Sequence, residues 1–92
     1  MAISDADRRL AQTIITKVHE WDRERIVVRQ KDYDISVQIS GKTLCYIGPR
    51  STHFIVYTND SEGRWSKYRI RNRQDMDVVL SMLRANYDKM RC

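Results

Sequence analysis

From Phe54 to Ile70 two runs rich in β-branched and aromatic residues flank the polar loop Asn59-Asp60-Ser61-Glu62-Gly63. Runs of this composition read as strands, and Gly63 offers the positive φ that such a loop commonly needs, so the stretch predicts a β-hairpin. With Thr58 opposite Arg64, one face collects Phe54, Val56, Ser66, Tyr68 and Ile70. The other collects His53, Ile55, Tyr57, Trp65, Lys67, Arg69 and Arg71. The first set reads as core; the second is basic and aromatic.

Upstream, Leu10, Ile14, Val18 and Trp21 recur at helical spacing with Ile15 widening the stripe, which predicts a helix over Ser4 to Trp21. Ser4 is its expected N-cap, and Asp7 stands where a carboxylate answers the unpaired amides and the helix dipole. Arg25 to Gln30, with a β-branched centre, predicts a short first strand at a sheet edge, followed by a turn at Lys31 and Asp32. Tyr33 to Ser40 alternates cleanly, with Tyr33, Ile35, Val37 and Ile39 on one side, and Ser40-Gly41 supplies a tight turn into a third strand, Lys42 to Gly48. Pairing Ile39 with Lys42 sets Val37 beside Leu44 and Ile35 beside Tyr46, and leaves Thr43, Cys45 and Ile47 on the opposite face.

Gly48-Pro49-Arg50-Ser51 is a loop by composition. After the second hairpin, Asn72 caps a helix from Arg73 to about Met90, with Asp75 in its first turn and Met76, Val79, Leu80, Leu83, Tyr87 and Met90 as the apolar stripe. Connections this short cannot make parallel crossovers. The expected fold is a single α+β domain over residues 1–92: an N-terminal helix, an antiparallel meander of about five strands, and a C-terminal helix, in two layers with both helices on one sheet face.

Ninety-two residues allow one modest core, and the net charge of +5 with a pI near 9.5 gives a field that favours polyanions: nucleic acid, an acidic protein surface or anionic lipid. Cys45 and Cys92 form no CxxC pair, so neither a disulfide framework nor a zinc knuckle is expected. No apolar run reaches the ~20 residues of a membrane span. Asp5, Asp7, Arg8 and Arg9 interrupt the segment where a signal peptide would be apolar, which points to a reducing cytoplasm and no membrane partner.

From Tyr33 to Tyr87 the strand pattern, the Gly63-Arg64-Trp65 element, the Tyr68-Arg69-Ile70 strand and the helix beginning Asp75-Met76-Asp77-Val78-Val79-Leu80 resemble a small bacterial and archaeal domain of unknown function. That domain is found in predicted transport proteins and attached to nuclease-like proteins. The resemblance implies a compact α+β module and brings no catalytic residues with it. Its nuclease-associated setting implies an analogy with nucleic-acid work.

Candidates for chemistry are sparse. A metal-dependent nuclease needs convergent carboxylates with a lysine near them. Asp32, Asp34 and Lys42 come closest without forming a carboxylate-x-lysine element, and they read as a turn residue and solvated strand positions. Cys45 and His53 on neighbouring strands lack a third group to orient the histidine, and His19 is a helix-flank residue. Gly41, Gly48 and Gly63 punctuate separate turns and build no phosphate loop. The chain is therefore expected to be non-catalytic and free of cofactors, with a small metal-dependent nuclease as the enzymatic alternative.

The remaining signal is the face carrying His53, Tyr57, Trp65, Lys67, Arg69 and Arg71. Cations neutralise phosphates and exposed rings stack on bases, while Trp, Tyr and Arg equally populate the centres of protein interfaces. An ordinary solvated sheet surface has the same pattern. With Cys45, Ile47 and Ile55 extending an apolar patch beside these residues, the first expectation is a protein partner or self-association; nucleic-acid binding is the alternative.

Overall fold

The computed structural model describes residues 5–31, 34–49, 53–60 and 62–90. Along the chain run α1 (Asp5–Trp21), β1 (Ile26–Gln30), β2 (Ile35–Ile39), β3 (Lys42–Pro49), β4 (Phe54–Asn59), β5 (Trp65–Ile70) and α2 (Arg73–Met90). The strands form one antiparallel sheet in sequence order, β1-β2-β3-β4-β5. This is the expected meander. Each strand meets its successor because connections of a few residues can only turn back on themselves.

Both helices bury their stripes on the same side of the sheet. Ala11, Ile14, Ile15 and Val18 of α1 and Met76, Val79, Leu83 and Tyr87 of α2 join Ile26, Val37, Ile39, Leu44, Cys45, Ile47, Phe54, Val56 and Ile70 in one core. The helices also meet each other: the Trp21 and Tyr87 rings lie 5.8 Å apart, the Arg84 guanidinium covers both, and the Tyr87 hydroxyl donates to Asp22 at 3.3 Å. At the start of α2, Asn72 Oδ1 accepts from the Asp75 amide at 2.9 Å, the cap expected from the sequence, and Asp75 Oδ2 accepts from the Arg71 amide at 3.1 Å. The expected Ser4 cap of α1 and the turn residue Asp32 lie outside the described residues.

Two turns set the registers. Ser40 and Gly41 both have positive φ, 51° and 80°, as a type I′ hairpin requires, and Ile39 pairs with Lys42 across them. In the β4–β5 hairpin, Asp60 Oδ1 accepts from the amides of Glu62 and Arg64 at 2.9 and 3.0 Å, and Oδ2 accepts from the Ser66 hydroxyl at 3.1 Å. This closure pairs Thr58 with Ser66 and Asn59 with Trp65, two residues away from the Thr58–Arg64 pairing expected from the sequence. A shift of two preserves every face, so Ile55, Tyr57, Trp65, Lys67 and Arg69 still share the side away from the helices.

The β2–β3 register corrects the sequence reading. Gln38 pairs with Thr43 and Val37 with Cys45, so Leu44 is an extra residue: a β-bulge. One extra residue inverts the parity of everything after it. Cys45 and Ile47, expected on the open face, are fully buried beneath the helices, and Tyr46, expected in the core, turns outward. The bulge is held from below. Thr58 Oγ1 donates to the Leu44 carbonyl at 2.8 Å, and Asn86 of α2 donates to Thr58 Oγ1 at 3.1 Å and to the Asn59 carbonyl at 2.8 Å.

Candidate nucleic-acid interface on the open sheet face

No helix among the described residues covers the second face of the sheet, and its side chains follow from the registers. One row runs Arg29, Ser36, Tyr46, Tyr57 and Lys67 from β1 to β5. The neighbouring row runs from Gly48 through Ile55 to Arg69, and Asp34, just ahead of β2, stands on the Gly48 side. Trp65 opens the third row beside Asn59.

Three aromatic rings cluster here. The Trp65 ring lies 5.3 Å from Tyr57 at an interplanar angle of 32° and 5.9 Å from Tyr46 at 42°. Trp65 remains 42% exposed, a large area of ring for a residue whose neighbours are also aromatic. The sequence reading had Tyr57 and Trp65 together; Tyr46 joins them only because of the bulge.

Charge is segregated between the layers. α1 holds three acids and three lysines or arginines, α2 holds three and three, and the strands hold Arg29, Lys42, Lys67 and Arg69 with no acid. Of those four, Arg29, Lys67 and Arg69 stand on the open face. Arg23, Arg25, Arg64, Arg71 and Arg84 each pair with a carboxylate, whereas Arg29, Lys67 and Arg69 do so with none among the described residues. Arg71 lies past the end of β5 and pairs with Asp75 at 3.6 Å, so it belongs to the start of α2 more than to the ring cluster. His53 stands half-buried just ahead of β4, at the far end from Trp65.

The catalytic candidates do not converge. Cys45 points into the core opposite Thr58, at the other end of β4 from His53, and burial pushes its thiol up to about 12, so it stays protonated and unreactive at neutral pH. No cluster of metal-ligating side chains occurs among the described residues, and no helix among them is long and apolar enough to cross a membrane.

No protein-family model, curated protein or solved structure matches the chain.

Tyr46, Gly48, Ile55 and Tyr57 line a concavity of about 380 Å³, with Asp34 on the β2 side and Lys67 on the β5 side. Sequence reasoning missed three members of this face. Arg29 sits on an edge strand too short to show a phase, Asp34 read as a solvated position, and Tyr46 was placed inward. The available signal was the Leu44-Cys45 doublet, two adjacent apolar residues that interrupt strict alternation and both end up buried.

Proposed function

We propose that this protein is a non-catalytic module that binds single-stranded nucleic acid on the open face of its sheet. Supporting this reading is one combined observation: the cations of that face lack carboxylate partners among the described residues and share the face with a cluster of three rings, while both helices are charge-balanced. Phosphates would be met by Arg29, Lys67 and Arg69, and unpaired bases by Trp65, Tyr57 and Tyr46. Stacking of this kind contributes roughly 1–3 kcal/mol per base and tolerates sequence, because every base has a π-face. With Cys45 and Ile47 in the core, the apolar patch that favoured a protein partner is lost, and Ile55 alone of the three stands on the face. The resemblance to a domain attached to nuclease-like proteins agrees with this reading.

Labelled single-stranded and duplex oligonucleotides titrated at low and moderate salt test it. Three phosphate contacts on a single strand give a slope of about −2 in log affinity against log salt, at about −0.7 per phosphate, and the Lys67→Ala/Arg69→Ala variant should flatten it to about −0.7. Trp65→Ala should weaken binding by about 1–3 kcal/mol at every salt concentration. Absence of binding at low salt, or binding indifferent to salt and to these variants, would reject the proposal in favour of a protein partner.

Self-association has its own observation. β1 is a free sheet edge of five residues on which Val27 and Val28 are 44% and 37% exposed, the arrangement through which strands pair between molecules. Light scattering behind size exclusion, with Val28→Lys as the disrupting variant, reads that directly; a monomer at all concentrations removes it.

A further inference from the structure

The concavity above Gly48 carries a chemical preference of its own. It combines aromatic walls from Tyr46 and Tyr57, an apolar side from Ile55, and two opposite charges at its rims. Its volume, about 380 Å³, lies within the range of small-ligand pockets. The Asp34 carboxylate is half-buried and makes no side-chain hydrogen bond or ion pair among the described residues. A carboxylate so placed has two oxygens free to accept, and it is most favourably met by two donors side by side.

Among the bases, that requirement is selective. Guanine presents N1–H and the 2-amino group adjacent to one another. Adenine and cytosine set a single amino group beside a ring nitrogen that accepts, and uracil or thymine sets one N–H between two carbonyls, so the second carboxylate oxygen would face a lone pair. Guanine also offers O6 and N7 as acceptors on the neighbouring edge, where a lysine is a common partner. Lys67, at the opposite rim, is available for them.

We infer that this concavity is a guanine-selective subsite, in which the base lies against Tyr46 and Tyr57 over Gly48, its N1–H and 2-amino group donate to Asp34, and O6 or N7 accepts from Lys67. The inference rests on the nucleic-acid reading of the face and adds to it a base preference that stacking and phosphate contacts alone do not create.

The test uses a short labelled uridine oligonucleotide carrying one central guanosine, inosine, adenosine or cytidine, in ribose and deoxyribose forms, titrated by fluorescence anisotropy against the full chain and Asp34→Asn. The guanosine oligonucleotide should bind about tenfold more tightly than the adenosine one, the scale of a bidentate base contact. Inosine, which lacks the 2-amino donor, should fall between them. Because recognition is at the base edge, both sugars should give the same order. Asp34→Asn, checked for folding by circular dichroism, should bring the guanosine oligonucleotide down to the level of the others. Equal binding of all four bases, or a guanosine preference that survives Asp34→Asn, overturns the subsite while leaving the nucleic-acid reading intact. Failure of every oligonucleotide to bind overturns both.

Discussion

Thr58→Val removes one hydroxyl at the centre of the network that holds the β3 bulge, and the structure sets the size of the loss. Thr58 is fully buried; its Oγ1 donates to the Leu44 carbonyl at 2.8 Å and accepts from Asn86 at 3.1 Å. Valine fills the same space, so no cavity forms, but the Leu44 carbonyl and one Asn86 donor are left buried without partners. Each such group costs about 1–3 kcal/mol, which puts the combined loss at about 2–6 kcal/mol. Against a total stability of roughly 5–14 kcal/mol for a domain of this size, a loss of about 3 kcal/mol lowers Tm by about 12–24 °C. Asn86→Leu should lose less, about 1–2 kcal/mol, because the Thr58–Leu44 bond survives and only the Asn59 carbonyl is orphaned. The double variant should be less destabilised than the two losses added, by about 1 kcal/mol, since the shared bond is lost only once. Urea unfolding followed by circular dichroism measures all three, with an unchanged m-value as the condition for reading them as stability. A Thr58→Val protein within about 0.5 kcal/mol of the parent would refute the argument that this hydroxyl satisfies the bulge.

Two further outcomes follow from buried groups. Ser36 is fully buried and its hydroxyl has no hydrogen-bond partner among the described residues, so Ser36→Ala should raise stability by about 1 kcal/mol in the same unfolding assay; a loss of stability would show that the hydroxyl is satisfied. Cys45 is buried in its neutral form with its thiol raised from 9.0 to about 12. The folded state therefore holds that proton more tightly than the unfolded chain does. Stability from this group is complete below pH 9 and declines above it by about 1.4 kcal/mol per pH unit until the folded thiol itself titrates. Relative to the parent, Cys45→Ala should remove that part of the alkaline decline, and in a Cys92→Ser background native Cys45 should resist thiol reagents at pH 8 until the protein is unfolded.

What could be read from the sequence divides along a single physical line: parity. Errors of two residues are harmless in a strand and errors of one are not. The β4–β5 pairing differs from expectation by two because Asp60 closes the loop through its carboxylate, yet Tyr57, Trp65, Lys67 and Arg69 stay on the face assigned to them. The Leu44 bulge inserts one residue, and Cys45, Tyr46 and Ile47 all change sides. The helices were legible because their stripes repeat over four turns or more, long enough for a period to average out local exceptions. Asn86 was not, since a polar residue at the margin of an apolar stripe carries no sign in sequence that it will answer Thr58 and Asn59 across the core.

The same bulge ties the core to the face on which function is proposed. Without it, Tyr46 would lie beneath the helices and Cys45 and Ile47 would lie on the open side. That alternative surface would be more apolar, with two rings instead of three and no aromatic wall on the β3 side of the Gly48 concavity. The groups that stabilise the bulge, Thr58 and Asn86, are buried and cannot touch a ligand. Their substitution should nevertheless weaken oligonucleotide binding beyond what a loss of folded protein explains, because Tyr46 is held outward by the register they support. Lys67→Ala or Arg69→Ala, on a strand whose pairing does not depend on the bulge, should weaken binding with little change in unfolding. A Thr58→Val protein that is destabilised yet binds oligonucleotides with full affinity while still folded would mean that the register survives without the hydroxyl, and that the bulge is set by the Ser40-Gly41 turn and the packing of Leu44 alone.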